Sequence, residues 1–172
     1  MKKTLLISAM FAAACITGAA SAQSAYYTGA GVGQSESRFT SSATIQDTGT
    51  SYTAYLGHDY TKNFGAEVGY SRFFYVQTKT LGVQQEAVTV QGTAHLAIAK
   101  NVTIFAKGGV AYSRNVDSKG GASDAFAPVA AVGIDYALTS VMSIRAEQQY
   151  IHKFADLRNN VSNTSIGLKL AF

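Results

Sequence analysis

Apolar and polar side chains alternate one by one over eight stretches of this chain, the periodicity of strands with one apolar and one polar face. The first begins near Ala25 and sets Tyr26, Thr28, Ala30 and Val32 against Gly29, Gly31 and Gly33; the second carries Tyr52, Ala54, Leu56 and Tyr60 on its apolar row. After Thr61-Lys62-Asn63 the third sets Phe64, Ala66, Val68 and Tyr70 against Gly65, Glu67 and Gly69. The fourth sets Val88, Val90, Ala94, Leu96 and Ile98 against Thr89, Gln91, Thr93 and His95. After Ala99-Lys100-Asn101 the fifth carries Val102, Ile104, Ala106, Val110 and Tyr112, with Lys107 opposite. The sixth has Ala130, Val132, Ile134 and Tyr136, and the seventh sets Met142, Ile144, Ala146 and Tyr150 against Arg145, Glu147 and Gln149. The eighth ends the chain, with Ile166, Leu168, Leu170 and Phe172 on one face and Gly167, Lys169 and Ala171 on the other.

Three short turns alternate with four longer polar segments, near residues 35 to 51, 76 to 86, 113 to 125 and 152 to 163. Short turns at one end and long loops at the other are the pattern of an outer-membrane barrel, as is a terminal strand closing on an aromatic. A soluble sandwich would show the same alternation, but its polar rows would face water, whereas here they hold charges interleaved with glycines. The fold expected is therefore all-β: an eight-stranded antiparallel up-and-down transmembrane β-barrel. Pro128 is expected near the start of the sixth strand, where a missing N–H is best tolerated. Outward tyrosines near strand ends suit the membrane interfaces, and Tyr26 and Tyr27 are assigned no role beyond such a girdle.

The start of the chain is different in kind. Residues 1–22 combine Lys2 and Lys3, an apolar run from Leu5 to about Ile16 and the small-residue site Ala20-Ser21-Ala22, which together read as a cleaved signal peptide. The run is too short for a spanning helix, which needs about 20 apolar residues. Residues 23–172 then form the barrel domain. Cleavage removes Cys15, the sole cysteine, and with it any disulfide or thiol chemistry. Cys15 as a lipidated N-terminus is disfavoured, because alanines precede it where a leucine-led motif is expected. The formal charge of +4 falls to +2 once Lys2 and Lys3 leave, which gives no support to nucleic-acid binding. One proline, 16 glycines and 10 tyrosines suit strands with aromatic girdles.

Several short motifs are similar in order and spacing to the OmpA-like transmembrane domain family, of the small opacity and OmpX type. They are Tyr27-Thr28-Gly29-Ala30, Phe64-Gly65-Ala66-Glu67-Val68-Gly69-Tyr70, Ala127-Pro128-Val129 through Gly133-Ile134-Asp135-Tyr136-Ala137, and Arg145-Ala146-Glu147. The resemblance implies an eight-stranded barrel in the outer membrane of a Gram-negative cell, with its N-terminus in the periplasm. It also implies insertion machinery and periplasmic chaperones that read the last strand through Ile166, Leu168, Leu170 and Phe172. Deleting Phe172 is then expected to slow assembly, and unchanged assembly kinetics would remove that residue from the signal. Larger family members add a periplasmic peptidoglycan-binding domain, which the sequence at hand does not contain. Gly31 stands where the family's lumen can hold a charge, so one member of an interior network is expected to be missing.

By the alternation, Glu67, His95, Lys107, Arg145, Glu147 and Lys169 share the lumen, where side chains of an eight-stranded barrel fill the space. A fixed plug is the expected role of these charges; a low-conductance pore gated by exchange of ion-pair partners is the second reading. Envelope structure with surface contact through the external loops, by adhesion or a host-surface ligand, is the expected function. Arg114, Lys119, Lys153 and Arg158 are candidates for lipopolysaccharide phosphates or a host glycan. Outer-membrane lipid and lipopolysaccharide surround the barrel, and a monomer is expected. A lipid-modifying enzyme ranks third, because His58, His95 and His152 lack a serine and carboxylate at a suitable spacing. No cofactor is expected, nor a metal, since no His pair stands at i, i+2 or i+4.

Overall fold

The computed structural model describes residues 26–39, 46–75, 84–116, 122–154 and 159–172. Eight strands follow one another: β1 Tyr26–Phe39, β2 Gln46–Asp59, β3 Phe64–Tyr75, β4 Gln84–Ala99, β5 Val102–Val116, β6 Ala122–Ala137, β7 Met142–Phe154 and β8 Asn159–Ala171. Each pairs antiparallel with its neighbours in sequence, and β1 also pairs with β8, from Tyr27 opposite Ala171 to Phe39 opposite Asn159. The sheet is a closed barrel. Closure leaves no open edge, which is the condition for backbone N–H and C=O groups to enter hydrocarbon. The proposed signal segment, with Cys15, lies outside the described residues.

The short turns gather at one end, with both ends of the sheet. Thr61 and Thr139 shape two of these turns, their hydroxyls accepting from the amides of Phe64 and Met142, both at 3.0 Å. The Phe172 amide donates to the Tyr26 carbonyl at 3.0 Å, tying the last residue to the first strand. The outward rows leave large apolar side chains exposed all round the wall, among them Val32, Val68, Val90, Val132, Ile166 and Leu168. Aromatics bracket that band: Tyr26, Tyr60, Phe64 and Tyr136 at the turn end, and Tyr52, Tyr112, Phe126 and Tyr150 toward the loop end.

At the loop end the strands run further than their polar sequences suggest. Residues 35–39, 46–51, 84–86, 113–116, 122–125, 152–154 and 159–163 are strand, not loop. Crossing a bilayer takes about 9–11 tilted residues, and β4 and β6 have 16 each, so the surplus extends the wall beyond the membrane. Hydrophobic alternation fades there because the outer face no longer needs to meet lipid, while the hydrogen-bond ladder continues. Pro128 likewise sits inside β6 and not near its start. Its neighbour Val129 is the last residue of β6 paired with β7, so the missing N–H falls where that ladder stops.

Inside, three large rings lie over glycines of adjacent strands. Tyr27 stands opposite Gly57 and Tyr55 opposite Gly29, and Phe105 stands opposite Gly133. A Cβ at any of these three glycines would overlap the ring across from it. The glycines are thus the space the rings occupy. Gly57→Leu is expected to displace Tyr27 and lower stability by roughly 1–3 kcal/mol, read as a fall in the denaturant midpoint of the refolded barrel. A midpoint equal to wild type would show that Tyr27 has room to move.

Candidate functional site in the barrel lumen

The lumen is built in two layers. Nearer the turn end is an ionic layer. Arg145 of β7 points inward and is 2 % exposed. Its Nε and Nη2 donate to the two oxygens of Asp135, the residue directly opposite on β6, at 2.7 and 2.9 Å. Its Nη1 reaches across the lumen to Glu67 Oε2 of β3 at 2.8 Å. Lys107 of β5 joins Glu67 Oε1 at 2.6 Å and Glu147 Oε2 at 2.7 Å, and Lys169 of β8 lies 3.2 Å from Asp135 Oδ2. The Tyr27 hydroxyl donates to Glu67 Oε2 at 3.2 Å. Six strands therefore meet in one network, with three carboxylates facing three cations. The bidentate fork of Arg145 fixes orientation as well as charge.

The glycine-seated rings form the walls of this layer. The Arg145 guanidinium carbon lies 4.3 Å from the Phe105 ring centre, 4.6 Å from Tyr55 and 5.6 Å from Tyr27. Lys107 Nζ lies 5.4 Å from Phe105, and Lys169 Nζ lies 4.1 Å from Tyr27. Each cation thus has carboxylates for its hydrogen bonds and ring faces for its remaining surface.

Toward the loop end the lumen becomes apolar on one side. Phe73, Ala87, Ala111, Ala127, Val129, Ile151 and Val161 form a buried cluster contributed by β3 to β8. Hydroxyls are buried in the lumen as well, among them Ser35, Ser37, Ser51, Ser71 and Ser113. Ser51 Oγ donates to Asn163 Oδ1 at 2.5 Å, which links β2 to β8 across this half.

The structure places Glu67, Lys107, Arg145, Glu147 and Lys169 in this one network. Asp135 is a member that the sequence reading passed over. Its signal was present: Ile134 and Tyr136 point outward, so Asp135 must point inward. With Asp135 counted, three carboxylates balance three cations with glycine at position 31. Tyr27 is corrected, from an interfacial girdle to a buried lumen side chain. His95 lies apart, at the turn end, with its Nε2 3.2 Å from Asp59 Oδ1 and 3.0 Å from Thr93 Oγ1. One ring nitrogen faces both partners, whereas a nucleophile relay needs the hydroxyl and the carboxylate on different nitrogens. His58 faces outward between Tyr26 and Tyr60, with ring centres 4.3 and 4.8 Å away. His152 is exposed beside Tyr150. Among the described residues no group of three His, Cys, Asp or Glu side chains is placed to hold a metal.

Of the four basic candidates, Arg114 and Lys153 fall on described strands. Arg114 is an exposed residue of β5, not of a loop, and the register sets it in a row Arg72, Glu86, Arg114, Asp124 that alternates in sign across β3 to β6. Arg72 Nε lies 3.7 Å from Glu86 Oε1, and the Tyr112 hydroxyl donates to Asp124. Lys153 belongs to β7, and Lys119 and Arg158 lie outside the described residues. Ile166, Leu168 and Leu170 face outward, and Phe172 follows β8 directly.

The model of the OmpA-like transmembrane domain matches residues 21–172. The chain belongs to that family. It is an outer-membrane β-barrel of the OmpA-like kind, and solved structures repeat its fold. The crystal structure of Neisserial surface protein A is 18% identical, with a TM-score of 0.71 over 87% of this chain and 98% of that one. The N-terminal barrel of Pseudomonas aeruginosa OprF is 14% identical, with a TM-score of 0.61 over 87% and 98%. Ail, the attachment invasion locus protein of Yersinia pestis, is 11% identical, with a TM-score of 0.59 over 85% and 98%. No curated protein matches this chain in sequence.

Proposed function

We propose that this OmpA-like barrel is a closed structural element of the outer membrane that carries surface contact on its loop end. The observation that bears most on this reading is the double filling of the lumen: a charge-balanced, cross-braced ionic layer beneath an apolar cluster in which Phe73 and Ile151 are 0% and 1% exposed. An eight-stranded barrel has an interior just wide enough for side chains to fill it, and here they do so at both levels. The pore reading needs a continuous wet path, and the apolar cluster opposes one. A lipid-modifying enzyme of the triad kind needs its hydroxyl and its carboxylate on different nitrogens of the base, and His95 holds Thr93 and Asp59 on the same one.

Surface contact rests on the length of wall beyond the aromatic girdle and on the company of the fold. Ail is described by its attachment role, and a second structure of it carries the heparin analogue sucrose octasulfate. For the present barrel the corresponding ligand would be a sulfated glycan or the phosphates of lipopolysaccharide, met by Arg114, Lys119, Lys153 and Arg158. Reversing these four charges is expected to abolish binding to immobilised heparin, and raising the salt is expected to weaken wild-type binding progressively. Retention that is indifferent to both would dispose of the basic site and leave uncharged loop contacts. Export by a cleaved leader, chaperone escort and insertion through the Phe172 strand complete the proposal.

A further inference from the structure

Between the ionic layer and the apolar cluster lies a cavity of about 20 Å³, lined among others by Glu67, Thr89, Gln91, Lys107, Glu147 and Gln149. Two of these side chains have polar atoms without a partner among the described residues. Gln91 is 2% exposed and leaves its Nε2 unpaired; Gln149 is 5% exposed and leaves its Oε1 unpaired. One atom is a donor and the other an acceptor. A buried donor or acceptor left without a hydrogen bond forfeits the solvation it had in water.

We propose that this cavity is a binding site for one structural water molecule, held by Gln91 and Gln149 on top of the ionic network. The chemistry selects the ligand. A cation would answer the acceptor of Gln149 and leave the Gln91 donor unmet, and an anion would do the reverse. Water accepts and donates at once. The volume agrees, since roughly 10–15 Å³ of this measure suffices for one water. The walls are polar, unlike those of the dry apolar cavities that stay empty. Glu147 lines the same space and has a single ion-pair partner, Lys107, among the described residues, so its carboxylate offers the water a further acceptor. The site lies above the braced charges and below the apolar cluster. It is a single hydration point seated on the braced charges.

A crystal structure of the folded wild-type barrel at a resolution that shows ordered solvent tests this directly. The expected result is one density peak within about 2.7–3.2 Å of both Gln91 Nε2 and Gln149 Oε1, with no anomalous signal there after rubidium or bromide soaks. A cavity without density, two glutamines rotated onto each other, or an anomalous peak from either ion overturns the assignment. The variant Gln91→Leu with Gln149→Leu supplies a second reading. With both polar partners removed the peak is expected to vanish while the ionic layer keeps its geometry. A solvent peak that persists in the double variant would mean that other groups hold it.

Discussion

Replacing Arg145 by alanine is expected to destabilise the barrel by roughly 3–5 kcal/mol, the cost of leaving buried charges without their partner. The substitution removes three charge-assisted bonds at once, leaving Asp135 with Lys169 alone and Glu67 Oε2 with the Tyr27 hydroxyl alone. It also empties the space between the Phe105, Tyr55 and Tyr27 rings. Arg145→Lys is expected to recover only part of the loss, because an ammonium carries the charge but not the fork that meets Asp135 twice. Urea unfolding of the refolded protein gives these values. A cycle of Glu67→Ala, Arg145→Ala and the double variant should show a coupling of about 0.5–3 kcal/mol. Strict additivity would mean that the two side chains touch without depending on each other.

The second large effect is expected on the opposite face. Leu168 points away from the lumen and is half exposed, while its neighbour Lys169 points in and reaches Asp135. An arginine at position 168 is expected to cost on the order of 2–4 kcal/mol if that position lies near the bilayer midplane, with less loss nearer an interface. Refolding into lipid vesicles, followed by denaturant titration, provides the measure. Lys169→Leu should be milder, because Asp135 keeps its two bonds to Arg145. A barrel that accepts Leu168→Arg but not Lys169→Leu would have its faces reversed.

These faces were legible in the sequence because a lipid-facing row is mostly apolar and recurs at every second residue, even where a polar Gln148 interrupts it. From Val102 to Tyr112 or from Met142 to Tyr150 the outward row reads directly. The same parity assigns inward charges, and Asp135 was accessible by it. The rings were harder. Tyr27, Tyr55 and Phe105 have the composition of girdle residues, and only the cross-strand register shows that each faces a glycine, so that a large side chain fits in a narrow lumen. The loop-end extensions were not legible for a related reason. Residues 34 to 38 read Gln-Ser-Glu-Ser-Arg, polar on both rows, because above the membrane neither face needs to be apolar. Pairing there is carried by the backbone, which leaves no mark in the side-chain pattern. The apolar cluster was hidden by its alanines, which are small enough to pass for spacers until Phe73 and Ile151 are seen against them.

Single-channel recording of the refolded mature barrel in planar bilayers, with Glu67→Ala alongside, tests the closed lumen most directly. The account expects silence from a wild-type protein that is demonstrably folded and inserted. Steady openings whose conductance changes with Glu67→Ala would contradict it, and would make the ionic layer a gate.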